Sequence, residues 1–156
     1  PDLTTKADIS QNAIDLAQAI GIETPKVALL SAVETITPRL QSTVEAGALC
    51  KMADRGQIKG GLIDGPLAFD NAISMAAVAS KGIVSEVAGQ ADILVAPDLE
   101  SGNMIAKQLM YLAGAEAAGI VLGARVPIIL TSRADSDQTR RASAAVASLF
   151  AKARGL

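Results

Sequence analysis

Histidine is absent from the 156 residues, and so is tryptophan. Without an imidazole the chain cannot by itself build a Ser-His-Asp or Cys-His nucleophile, an HExxH zinc site or a histidine acid–base relay. The single cysteine, Cys50, excludes an internal disulfide and a thiolate metal cluster, so no metal site is expected and a reducing compartment fits. Only Phe69, Tyr111 and Phe150 are aromatic, and half of the residues are apolar. The core must therefore be aliphatic, which suits helices packed closely on a sheet. Basic residues are also in short supply. The net charge is −2, and nucleic acid is not an expected partner because phosphate-backbone binding needs concentrated Lys and Arg. No unbroken apolar run of about eighteen residues is present to span a bilayer, and the opening PDLTTKAD does not read as a signal peptide. The expected location is the cytoplasm, with no membrane partner. Neither GxGxxG after a strand nor GxxxxGK[ST] occurs, which removes the dinucleotide fingerprint and the P-loop. Position 1 is not Met, which suggests a fragment or a processed product.

What is present alternates between apolar strands and helical periodicity. A helix is expected over 6–20, with Ile9, Ala13, Leu16, Ala17 and Ile20 on its apolar face, a start at Thr4 or Thr5, and Gly21 at its end. A buried strand follows over 26–31, then the polar loop 31–38, where Glu34 is a ligand or salt-bridge candidate. The next helix spans 41–54 and carries Val44, Ala48, Leu49 and Met52 on one face, with Cys50 as a small packing residue. A second strand is expected over 58–64, leaving through Asp64-Gly65-Pro66 into a helix that holds Asp70 and Asn71. Residues 80–91 read as a surface connection. A third strand covers 92–96 and a helix follows from 97, with Ser101 and Asn103 as caps. Residues 126–130 predict a short buried strand, and 135–151 a last helix. The whole reads as a single α/β domain with an open, mostly parallel or mixed sheet flanked by helices.

Polar residues gather at three strand ends, 64–66, 97–103 and 131–137, which a parallel sheet would bring to one crevice. The first offers Asp64, Gly65 and Pro66, and the second Asp98, Glu100 and Asn103. The third is the richest. Arg133 beside Ser132, Ser136 and a helix start suits a phosphate or other oxyanion, because a guanidinium fork, a hydroxyl and free backbone amides can converge on it. Capping plus a solvated arginine is the competing reading. Asp135 and Asp137 can cap the helix or act as a base toward a thiol, whereas Arg140 and Arg141 read as surface charges.

Three long strings, KMADRGQIKGGLIDGPLAFDNAIS (51–74), VAGQADILVAPDLESGNMIAKQL (87–109) and GIVLGARVPIILTSRADS (119–136), resemble the phosphate acetyl/butyryltransferase family, most closely its phosphate butyryltransferase branch. The resemblance runs over nearly the whole chain. It implies a two-domain α/β enzyme of the isocitrate/isopropylmalate dehydrogenase-like fold, working as a homodimer with its active site in the cleft between domains. On this expectation the chain is the second domain plus the C-terminal helix region, without the N-terminal domain, and is inactive alone. The implied reaction moves a short acyl group between coenzyme A and inorganic phosphate, with acyl-CoA as substrate, acyl phosphate as product, no metal and no tightly bound cofactor. Ser132 and Arg133 match the family's Ser-Arg pair, the serine for the thiol or carbonyl and the arginine for phosphate. The DGP and PDLESGN segments match motifs that border the cleft. The acetyltransferase branch places its proposed aspartate base seven positions after that serine; here the position is Thr139, leaving Asp135 and Asp137 as local substitutes. A non-catalytic binding or dimerisation domain of a larger protein is the alternative.

Overall fold

The computed structural model describes residues 1–156. Eleven elements follow in the order α1 (Leu3–Ala19), β1 (Lys26–Leu30), α2 (Gln41–Asp54), β2 (Leu62–Leu67), α3 (Phe69–Ile73), α4 (Met75–Lys81), β3 (Ile93–Val95), α5 (Leu99–Leu112), β4 (Ile120–Val121), β5 (Ile128–Ile129) and α6 (Asp137–Ala153). β2, β1 and β3 form a parallel sheet in that order. β4 and β5 pair antiparallel in a separate two-stranded sheet.

Strand β1 is the centre of the molecule because its residues serve both faces of the sheet. Val27 and Leu29 enter a core with Ala7, Ile14, Ala46, Leu49, Ile58 and Val95, under α1 and α2. Ala28 and Leu30 point the other way, into a core with Leu67, Ala72, Val78, Val87 and Ala88 under α3 and α4. The two-residue period of a strand thus separates one apolar run into two cores.

The sequence misplaces the inward face of α1. Its buried residues are Lys6, Ala7, Ser10, Ile14 and Ala17, while Ile9 and Ile20 stand 42% and 49% exposed. The helix starts earlier than expected, capped by the Asp2 carboxylate, which accepts from the Thr5 amide at 2.8 Å. Its end is closed as expected by Gly21 at φ +103°, with the Ile22 amide reaching back to the Ala17 carbonyl.

Strand β2 starts four residues later than expected and ends three later, so Asp64-Gly65-Pro66 belongs to the strand instead of turning out of it. The pairing with β1 slips between Ala28 and Leu30, opposite this Gly-Pro pair. Proline fits there because β2 is an edge strand whose outer side needs no ladder donor. Glycine fits because a Cβ at position 65 would stand 2.6 Å from Leu29 Cβ and 2.9 Å from the Leu29 carbonyl oxygen. The 80–91 segment is likewise no simple surface connection. Val87 and Ala88 are buried in the second core, their amides held by Ser85 Oγ at 3.0 Å each.

Residues 126–130 do not form a buried strand of the main sheet. Only Ile128 and Ile129 are in extended pairing, and with Leu130 they are 47%, 49% and 63% exposed. Helix α6 ties this hairpin to the body. Ser143 Oγ accepts from the Gly119 amide at 2.9 Å, and Phe150 and Ala147 are buried on the side facing α1.

Cys50 sits on α2 beneath β2, where its Sγ donates to the Gly65 carbonyl at 3.4 Å. Burial pushes the thiol up to about 12, and the nearby Asp64 and Asp54 carboxylates add to the shift. The thiolate is therefore scarce at neutral pH. Alkylation by iodoacetamide at pH 8 is expected to run about a thousandfold slower on the folded protein than on the urea-unfolded chain. Equal rates would contradict the raised pKa of this half-buried thiol.

Candidate active site

Connections from β1 to β2 and from β2 to β3 leave on opposite sides of β1, so the carboxyl edge of the sheet is its natural ligand crevice. Two polar clusters occupy that edge. On the β2 side, Glu34 Oε2 accepts from Asn71 Nδ2 at 3.1 Å and from Lys81 Nζ at 3.2 Å, and Lys81 stands 3.7 Å from Asp70. The Lys81 hydrogen bond holds the Glu34 carboxyl below its ordinary range. On the β3 side, Lys6 pairs with Glu45, and Ser31 and Ser42 share a hydrogen bond of 2.8 Å. Lys6, Ser42 and Glu45 line a slot with Leu30, Ala96 and Pro97 where β1 meets β3.

The expected site residues are distributed more widely than three converging strand ends would require. Asp64 faces an open depression on the outer edge of β2, shared with Asp54, Ser85 and Glu86, and its Oδ1 accepts the Gly65 amide at 2.8 Å. Pro66 is buried. Asp98, instead of Ser101 or Asn103, caps α5, accepting from the Ser101 amide at 2.7 Å; that bond lowers its carboxyl pKa. Glu100 is exposed in the first turn, and Asn103 is exposed one turn later.

The 131–137 turn follows β5 and so opens from the hairpin, not from the parallel sheet. It is a tight local structure. The Ser132 amide donates to Asp135 Oδ2 at 2.6 Å, and the Asp135 amide returns to the Ser132 carbonyl at 3.1 Å. Ser136 caps α6, its Oγ accepting from the Thr139 amide at 3.1 Å and sharing a second contact of 3.1 Å with Thr139 Oγ1. Thr139 is thus engaged in the cap. Ser132 Oγ only accepts, weakly, from the Ala134 amide at 3.4 Å, so its own proton remains available. Arg133 is exposed and joins no ion pair, and Asp137 begins the helix with its carboxylate in solvent. The free guanidinium, free hydroxyl and helix N-terminus leave this turn open to an oxyanion.

Lys6, Glu45, Ser42 and Lys81 are absent from the sequence-based set. The only available signal was the spacing of Lys6, Ser10, Ile14 and Ala17, a helical stripe that a polar-versus-apolar reading passes over because it opens on a lysine.

Fold and polar edge together define an α/β protein of the doubly wound kind, with helices on both faces of a parallel sheet. Residues 1–148 match the family described as phosphate acetyl/butaryl transferase, and the chain belongs to that family. A phosphate acetyltransferase of Rhizobium meliloti is 66% identical over 154 residues, covering 99% of this chain and 49% of that protein. A phosphate butyryltransferase of Clostridium acetobutylicum is 50% identical over 151 residues, covering 97% and 50%. The crystal structure of a branched-chain phosphotransacylase from Enterococcus faecalis V583 superposes with a TM-score of 0.86 at 37% identity, covering 96% of this chain and 54% of that one. The chain spans about half the length of the curated relatives it matches.

Two expectations are corrected by these matches. The resemblance is to acetyltransferases more than to the butyryltransferase branch, as 66% against 50% identity shows. The fold is that of the phosphotransacylases, not an isocitrate/isopropylmalate dehydrogenase-like fold. In this chain the parallel sheet has three strands and the last two strands form a hairpin of their own. No helix is long and apolar enough to cross a membrane.

Proposed function

We propose that this chain supplies one half of the active site of an acyltransferase that catalyses acyl-CoA + phosphate = CoA + acyl phosphate, with acetyl as the favoured acyl group. The observation that carries the proposal is the 131–137 turn, with its unpaired guanidinium and hydroxyl, within a chain that matches the transferase family over residues 1–148. The acetyl preference rests on the name of the Rhizobium meliloti relative. Arg133 and the first amides of α6 hold the phosphoryl oxygens. A phosphate hydroxyl gives its proton to Asp137 as its oxygen attacks the thioester carbonyl; the tetrahedral intermediate collapses, the C–S bond breaks, and Asp137 returns the proton to the departing sulfur. Ser132 donates to the developing oxyanion or to the departing sulfur. In the reverse direction Asp137 takes the thiol proton, since Asp135 is occupied with the Ser132 amide. Asp98, Glu100 and Asn103, with the Asp64-Gly65-Pro66 segment, serve as the substrate-binding border.

The relatives are about twice as long as this chain, which supports its being one part of a longer enzyme; we read it as the second domain and C-terminal helix region of a two-domain cytoplasmic enzyme. None of α5 is buried, and Leu99, Tyr111, Leu112 and Leu130 stand open, which supports further packing and a homodimer. The complete protein is expected to form a thioester from acetyl phosphate and CoA and to sediment as a dimer, while residues 1–156 alone are inactive. Thioester formation by those residues alone would defeat the split-site reading; CoA binding by the complete protein without turnover would favour a binding domain.

A further inference from the structure

Asn71 poses a problem that packing does not solve. The residue is fully buried, its Nδ2 donates to Glu34, and its Oδ1 is the one buried side-chain oxygen or nitrogen without a partner. A buried acceptor left unpaired is a net cost to the fold, whereas an apolar residue of similar size would cost little there. What the amide achieves is to hold Glu34. Lys81 holds the same Oε2, so the carboxylate is fixed from two sides while its side chain stays 31% exposed and Oε1 has no hydrogen-bond partner from another residue.

We infer that Glu34, fixed by Asn71 and Lys81 at the carboxyl edge between β1 and β2, binds an amide N–H of the pantetheine arm of coenzyme A. Charge decides the ligand class. Glu34, Asp70 and Lys81 together carry one net negative charge, which repels phosphate and the phosphate groups of the nucleotide. A neutral hydrogen-bond donor is favoured. Of the substrates proposed above, on which this inference rests, coenzyme A alone offers neutral donors: the pantetheine amides and hydroxyl, and the adenine amine. The Lys81 ammonium, with a spare N–H, can donate to the amide carbonyl beside it. Glu34 touches substrate in this scheme, and Asn71 is a positioning residue that acts through it.

The test is steady-state kinetics on the complete protein with CoA, with pantetheine and with phosphate as the varied substrate. Glu34→Ala is expected to raise KM about 10–100-fold for both thiols, the loss of a hydrogen bond to a charged group, and to leave KM for phosphate unchanged. Asn71→Leu is expected to raise KM for CoA about fivefold with kcat and thermal midpoint preserved, since it removes an anchor and an unpaired oxygen together. Glu34→Gln keeps an acceptor and should lie between Glu34→Ala and wild type. An effect of Glu34→Ala on CoA but not on pantetheine would point to the adenine amine and overturn the pantetheine assignment. Unchanged KM for CoA in an active Glu34→Ala enzyme would overturn this inference alone. A wild-type protein that neither turns over nor binds CoA would overturn the proposed function and this inference with it.

Discussion

Replacing Arg133 with alanine in the complete protein should lower kcat/KM for phosphate by about 100- to 1,000-fold, the range found when one preorganised donor to a reacting oxyanion is removed. The size follows from how little else at the turn can carry the load. Ser136 is committed to the α6 cap and Thr139 to Ser136, while Asp135 and Asp137 place negative charge beside the anion. What remains for phosphate is the guanidinium, the Ser132 hydroxyl and the amides at the start of α6. Because Arg133 makes no ion pair in the resting structure, it loses no partner on binding and all of its donors are available. Arg133→Lys should recover only part of the loss, since an ammonium keeps the charge without the planar fork. The measurement is initial rate against phosphate concentration at saturating acyl-CoA. A variant with wild-type phosphate dependence would remove Arg133 from the site.

Element order was legible in the sequence because apolar runs between Gly and Pro are strong local signals; β1, α2, β3 and α6 lie within a few residues of their expected places. Faces and sheet membership were less legible. α1 buries Lys6 and exposes Ile9, because the ammonium finds Glu45 while its methylene stem packs as an apolar group. Local sequence contains no sign of that partner 39 residues away. β2 absorbed a Gly-Pro pair that normally ends a strand, because an edge position opposite a slip in β1 tolerates both residues. The hairpin misled for a related reason. Residues 126–130 are apolar enough to be buried, yet burial depends on what covers them, and here they pair only with β4. At the candidate site, the Ser132–Asp135 turn was visible because its bonds are local. The Glu34–Asn71–Lys81 cluster was not, because it joins residues from three separate segments, although Glu34 and Asn71 were each recognisable alone.

The Lys6–Glu45 pair sets the second large expectation, on stability. The Lys6 and Glu45 side chains are 9% and 14% exposed, and the pair fastens α1 to α2 at the point where the sheet changes direction. Glu45→Ala strands a buried ammonium and should destabilise the protein by about 3 kcal/mol, near the lower limit for breaking a buried pair because the site sits at the sheet's edge. Asp98 does not rescue it. Its carboxylate, held low first by the Ser101 amide and further by the Lys6 charge, is already engaged at the α5 cap. The pH dependence has a definite sign. The Lys6 hydrogen bond holds the Glu45 carboxyl below its ordinary value against the opposing effect of burial. Its contribution is therefore present in full above the unfolded carboxylate pKa and lost as pH falls through the lower folded one. The gap between wild type and Glu45→Ala should accordingly be widest near pH 7 and narrow below about pH 4. Urea midpoints of the complete protein at the two pH values measure it, and amide exchange within Leu3–Ala19 localises it. The double variant Lys6→Met, Glu45→Leu should recover most of the loss, since removing both charges leaves no group stranded. If Glu45→Ala matched wild type at pH 7, the pair would be a solvent-exchanging contact, and α1 would be held without it, by Ala7, Ile14 and Ala17 in the core.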